Sequence, residues 1–209
     1  MSKRIAVLVS GGGTNLQALI DAQKEDRLGG GEIVAVISSK EGAYALTRAK
    51  NAGIDGYVLP RSSFESNRAM TLALVEKLQK LEIDLVVLAG CMIIFTEELI
   101  DAYPNAIINV HPALIPSFCG AGYYGLRVHE EALRYGVKVS GATVHFVSAE
   151  CDAGPIISQK AVAILEGDTP EILQKRIMEE AEWKLLPQAV TLFCQNKLEV
   201  SGRIVTIKE

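Results

Sequence analysis

The sequence predicts an α/β fold: a doubly wound, mostly parallel sheet of Rossmann-like type, with a C-terminal antiparallel strand pair and a long helix. Three observations predict it. Short aliphatic runs alternate with helical patterns through the first half of the chain. A run of three glycines, Gly11-Gly12-Gly13, breaks the first alternation. Past residue 137 two β-branched stretches replace it, and a helical pattern follows. Strands alternating with helices indicate parallel strands joined by crossovers.

The elements follow in order. Residues 5–9 are continuously aliphatic, as expected of a strand covered on both faces. After the glycines, Leu16, Leu19 and Ile20 begin a helix that runs to about Glu25. Residues 33–37 form a second strand, 43–52 a helix stopped by Gly53, and 57–59 a short strand. Met70, Leu74, Leu78 and Leu81 mark one face of an amphipathic helix. Residues 83–89 form a strand, 96–102 a short helix and 106–109 the next strand. Residues 137–147 and 156–164 form the antiparallel pair. Thr169 caps a helix that has Pro170 at its first position and reaches about Leu186. Residues 198–205, around Ser201-Gly202, form a hairpin.

A chain of 209 residues, 49% hydrophobic and 6% aromatic, fits one domain over 1–209 with an aliphatic core. Its net charge of −4, without blocks of like charge, argues against binding nucleic acid or a membrane surface. The four cysteines show no C-x-x-C spacing, so reduced thiols and a cytoplasmic location are expected. The longest apolar stretch, 85–95, is too short to span a bilayer.

Three places carry chemistry. The first is the glycine loop between a strand and a helix, an arrangement that turns backbone N–H groups toward an anion. Leu16 stands where a dinucleotide fingerprint needs its third glycine, Ser38-Ser39-Lys40 lacks the ribose-binding acid, and no Gly-Lys-Ser/Thr follows. What remains is a phosphate pocket of Gly13, Thr14 and Asn15, or a tight turn with Thr14 or Asn15 as a helix cap. The second is Asn109-Val110-His111-Pro112 at the end of a strand. The period-2 pleat puts Asn109 and His111 on one face, where their N–H groups can hold an oxyanion. The plain alternative is a strand end followed by a turn. The third is Asp152, in the turn between the two late strands. It is either a carboxylate that raises the pKa of His111 or an ordinary turn residue.

Cys119 lies near His111 in sequence, but no cysteine-hydrolase signature surrounds it. His129 is expected on a helix surface or in a loop. His145 alternates with Thr143 and is expected to orient Asp152 or a water. Three histidines so far apart give no metal signature.

The motifs have a further value together. Ser10-Gly11-Gly12-Gly13-Thr14-Asn15-Leu16-Gln17 precedes Asn109-Val110-His111-Pro112-Ala113-Leu114-Ile115-Pro116. Gly141-Ala142-Thr143-Val144-His145-Phe146-Val147, Asp152-Ala153-Gly154-Pro155-Ile156-Ile157 and Gly167-Asp168-Thr169-Pro170 follow in order. In this set the whole chain resembles the phosphoribosylglycinamide formyltransferases, folate-dependent enzymes of purine synthesis. The N-H-P-x-L-P and D-x-G-P elements also occur in methionyl-tRNA formyltransferases and formyl-folate hydrolases. The glycine loop is the discriminator, since it implies a phosphorylated small substrate. The chain is also expected to be too short for the additional domains of those relatives.

The resemblance implies formyl transfer from 10-formyltetrahydrofolate to the amine of glycinamide ribonucleotide, with no metal. Asn109 and protonated His111 would stabilise the oxyanion, and Asp152 would raise the His111 pKa and help move a proton. Gly13, Thr14 and Asn15 would hold the phosphate and Glu182 the ribose. Met92, Ile93, Ile94 and Phe95 would wall the folate pocket, with Asn109 and Asp152 also touching the folate. The N-terminal half, about 1–105, would bind phosphate, and 106–209 would carry folate binding and catalysis. A monomer or homodimer is expected. Ile93 and Asn67 replace residues that are often basic in the family, and Arg68 is positioned to compensate. Residues 118–125 are longer than the corresponding loop in many members and are expected to form a mobile lid over the folate site. The competing functions are hydrolysis of the formyl-folate, transfer to another phosphorylated amine, and a nucleotide-binding module without turnover. The failed fingerprint disfavours a dehydrogenase.

Overall fold

The computed structural model describes residues 2–208. Strand β1 (Lys3–Val9) lies centrally and is buried along its last five residues, which explains its unbroken aliphatic sequence. Around it stand β2 (Gly31–Ser38), β3 (Asp55–Val58), β4 (Leu85–Leu88) and β5 (Ile107–His111). The later strands are β6 (Val139–Phe146), β7 (Ile156–Ala163), β8 (Leu198–Ser201) and β9 (Ile204–Ile207). They form one nine-stranded sheet in the order β3-β2-β1-β4-β5-β6-β7-β9-β8. The segment from β3 to β5 is parallel, whereas β6 runs antiparallel to both β5 and β7.

The helices are α1 (Thr14–Lys24), α2 (Tyr44–Asn51), α3 (Asn67–Lys80), α4 (Glu97–Ala102), α5 (Arg127–Tyr135), α6 (Pro170–Ile177) and α7 (Trp183–Cys194). One face of the sheet buries Val7, Val9, Val36, Val87 and Ile108 with Leu16, Leu19, Leu173 and Leu186. The other buries Ala6, Leu8, Ile37, Val86 and Ile107 against Leu74, Leu78 and Leu99. Two-sided cover is what a parallel sheet requires.

Chain order reverses between β1 and β4, the place where open α/β sheets hold their ligands. The two strand ends are tied there, because Met92 N–H donates to Ser10 Oγ at 2.9 Å. Ser10 Oγ also lies 2.8 Å from Ser39 Oγ, at the end of β2.

Several expectations need correction. β5 continues through His111, which the register opposite Thr143 places inside the sheet. Helix α5 was not anticipated, because its apolar stripe is short and includes a histidine. His129 sits on its buried side, fully inaccessible, rather than on a surface. The helix capped by Thr169 continues beyond Leu186 to Cys194 through a π-helical turn at Met178–Glu182. Such turns insert a residue and re-aim side chains, often at functional sites.

Candidate active site

The glycine loop closes β1 against α2. Gly13 adopts φ 71°, and a Cβ there would lie 2.7 Å from the Ala45 Cβ, so both conformation and space demand glycine. Gly13 itself is the N-cap position of α1, and no side chain caps that helix. Neither Thr14 nor Asn15 is therefore spent as a cap. Thr14 Oγ1 points to Met178 Sδ at 3.7 Å, and Asn15 Nδ2 donates to Glu182 Oε2 at 2.6 Å. The π-helical turn thus delivers Glu182, from the far end of the chain, to the start of α1. Asn15 Oδ1 is buried without a partner. Burial pushes the Glu182 carboxyl up to about 7, and the Asn15 hydrogen bond only partly offsets it.

On the other side of the switch point, Asn109, His111 and Asp152 come together. Asp152 Oδ2 lies 3.5 Å from His111 Nδ1, and Oδ1 lies 3.5 Å from Asn109 Nδ2. Asp152 is held at φ 54°, a left-handed conformation that costs energy for any residue but glycine. The turn is kept tight by Gly154, where a Cβ would stand 1.8 Å from the Phe146 carbonyl oxygen.

His145 joins this group. Its Nδ1 lies 2.8 Å from the Phe146 carbonyl oxygen, which only accepts, so Nδ1 carries the proton. Nε2 is then an acceptor in the neutral ring, and Asn109 Nδ2 donates to it at 3.1 Å. The expectation that His145 orients Asp152 is therefore incomplete: its shorter contact is to Asn109, with Asp152 Oδ1 at 3.7 Å.

Asp152 is ionised throughout the neutral range. Burial raises its carboxyl, but the two neighbouring imidazoles and the Gly120 N–H outweigh this and bring it down to about 2. For His111 the balance runs the other way. Burial lowers its pKa more than Asp152 raises it, which corrects the expectation of a net increase. Its proton is fixed all the same. His111 Nε2 lies 2.8 Å from the Phe118 carbonyl oxygen, so Nε2 bears hydrogen even in the neutral ring.

The expected folate wall divides in two. Met92 and Ile94 are exposed, whereas Ile93 and Phe95 line a small cavity with Leu8, Ile37, Met70 and Leu74. Arg68 is paired with Glu98, and Asn67 accepts from Arg61. The thiol of Cys119 is raised by burial and by Asp152, which disfavours a thiolate nucleophile. Among the described residues no group of three His, Cys, Asp or Glu side chains is arranged to hold a metal ion.

Sequence reasoning missed Ser10, which joins the glycine loop to Met92, and the backbone of Phe118 and Gly120. A hydroxyl residue at a strand's carboxyl end was the available signal for Ser10. Backbone groups leave no such signal.

The formyl transferase family profile matches residues 3–190. The chain belongs to the formyl transferase family. This family member is 39% identical to the phosphoribosylglycinamide formyltransferase of Haemophilus influenzae, over 97% of its own length and 92% of that protein. It superposes on a glycinamide ribonucleotide transformylase from Symbiobacterium toebii with a TM-score of 0.94 and 45% identity, covering 100% of the chain and 95% of that structure. It is also 37% and 36% identical to chloroplastic phosphoribosylglycinamide formyltransferases of Arabidopsis thaliana and Vigna unguiculata, over 94% of its own length, and spans 67% and 62% of theirs. In the formyl transferase the two halves of the chain meet at the start of α1, where Asn15 donates to Glu182. Met92 and Ile94 are exposed. No described helix is long and apolar enough to cross a membrane.

Proposed function

We propose that this chain transfers the formyl group of 10-formyltetrahydrofolate to the amine of glycinamide ribonucleotide, in the cytoplasm, as a step of purine synthesis. The convergence of Asn109, His111 and Asp152 at the end of β5, on the sheet edge that also carries the glycine loop after β1, carries the reading. It supplies two N–H donors and one carboxylate, which is what direct acyl transfer between nitrogens needs.

The amine lone pair forms a bond to the formyl carbon, and the carbonyl electron pair moves onto oxygen. His111 Nε2–H and one Asn109 N–H meet that oxyanion. Neutral His111 suffices as donor, because Nε2 already bears hydrogen. Asp152, ionised and within reach of His111, draws the proton from the attacking nitrogen, directly or through water. The oxyanion re-forms the carbonyl as the bond from carbon to the folate nitrogen breaks, and that nitrogen takes up the proton Asp152 removed. Formylated ribonucleotide and tetrahydrofolate result, with no covalent enzyme intermediate. Each oxyanion donor of this kind contributes about 10²- to 10³-fold in rate.

Gly13, Thr14 and Asn15 would hold the phosphate, with backbone N–H groups of α1 aimed outward. Glu182 would accept from the ribose hydroxyls. The exposed Met92 and Ile94 would flank the folate ring, with Asn109 and Asp152 contacting the reactive folate edge. The test is absorbance of deformylated folate with and without glycinamide ribonucleotide. Formation only with the ribonucleotide supports transfer. Formation without any amine would make the chain a formyl-folate hydrolase instead.

A further inference from the structure

Loop 118–125 was expected to be a lid that covers the folate. Its backbone instead already occupies the reaction centre. The Phe118 carbonyl accepts from His111 Nε2 at 2.8 Å, and Gly120 N–H donates to Asp152 Oδ2 at 2.9 Å. One residue separates the two groups. A carbonyl acceptor on the imidazole and an N–H donor on the carboxylate are the two polar groups that a newly formed formamide would present there.

We infer that residues 118–120 are a built-in occupant of the catalytic centre, whose backbone C=O and N–H stand in for the formyl oxygen and the amine N–H. Both substrates must displace it. The inference rests on the transfer reaction proposed above. It accounts for three features that a simple loop does not need. His111 and Asp152 are nearly inaccessible, so without a ligand their polar atoms require partners, and the loop provides them. Phe118, a bulky residue, adopts φ 50°, an outlier that aims its carbonyl inward. Its ring is clasped edge-on by Tyr123 and Tyr135, with centroids 6.4 and 6.0 Å away. The strain opposes the cap while the aromatic clasp holds it, a balance suited to release.

A conventional lid and a self-cap predict opposite behaviour of one amide. Hydrogen exchange at Gly120 is to be followed in the free enzyme and with saturating tetrahydrofolate plus formylated ribonucleotide, the product pair that fills the site at equilibrium. The self-cap predicts slow exchange in the free enzyme and faster exchange with the products bound. Slower or unchanged exchange would overturn it. A variant gives a second reading. A Cβ at Gly120 meets nothing within 4 Å, but φ 88° is unfavourable for alanine. Gly120→Ala weakens the cap by about fivefold and lowers the KM for formyl-folate by the same factor. A KM that stays constant or rises would count against the cap. Failure of the proposed function shows separately, as wild-type enzyme that consumes no formyl-folate when ribonucleotide is added.

Discussion

The Asn109 amide is oriented by His145: Nδ2 donates to Nε2 at 3.1 Å, and Nε2 is free to accept because Nδ1–H is spent on the Phe146 carbonyl. One Asn109 N–H is therefore fixed. The other, only loosely held by Asp152 at 3.5 Å, can turn to a developing oxyanion.

His145 is thus a positioning residue, and its loss reads out on Asn109. His145→Leu is expected to lower kcat by about 10- to 100-fold, the cost of misplacing a catalytic group. KM for both substrates should stay within about twofold, since nothing they touch is removed. His145→Gln, which keeps an acceptor, should recover part of kcat. Steady-state kinetics of the three proteins test this. Equal kcat in wild type and His145→Leu would refute the role.

Gly154 fixes the turn that holds Asp152. A methyl there collides with the Phe146 carbonyl, so the backbone must move. Gly154→Ala is expected to destabilise the fold by about 2–3 kcal/mol and to shift Asp152 off His111. Urea titration should show the first effect. The second should appear as a kcat loss of about 100-fold that persists under conditions where the variant is fully folded.

Glu182 and His129 give opposite pH dependences. The carboxyl of Glu182 rises from 4.5 to about 7 in the folded state. The folded protein then binds more protons than the unfolded, and stability falls as pH rises from about 4.5 to 7. Burial lowers His129 from 6.5 to about 4, so its contribution falls as pH drops from 6.5 to 4. Each shift corresponds to at most about 3.5 kcal/mol. In the overlapping window the two offset one another. His129→Leu should make stability decline with rising pH, and Glu182→Gln should make it increase. Denaturation midpoints between pH 4.5 and 7 measure both, and parallel slopes in the two variants would contradict the assignment.

Much of the fold was legible because parallel strands bury both faces and so read as aliphatic runs. Val7, Val36, Val87 and Ile108 were found in this way. Helix α5 was not, since its buried side consists of Val128, His129 and Ala132, and histidine breaks the pattern. Asn109 and His111 were legible from the period-2 pleat, but the resemblance was needed to give Asp152 and Glu182 the roles proposed for them. Two kinds of information stayed hidden. Burial reversed the expected His111 shift, and burial depends on tertiary packing. The contacts of Phe118 and Gly120 run through the backbone, which is the same in every residue.

His111 and Asn109 are proposed to stabilise the oxyanion of formyl transfer. Turnover of His111→Ala in the ribonucleotide-dependent absorbance assay tests this most directly. A kcat loss of at least about 100-fold is expected, in a variant that still binds glycinamide ribonucleotide. A kcat within about threefold of wild type would contradict it, and the chemistry would have to be assigned elsewhere on the sheet edge.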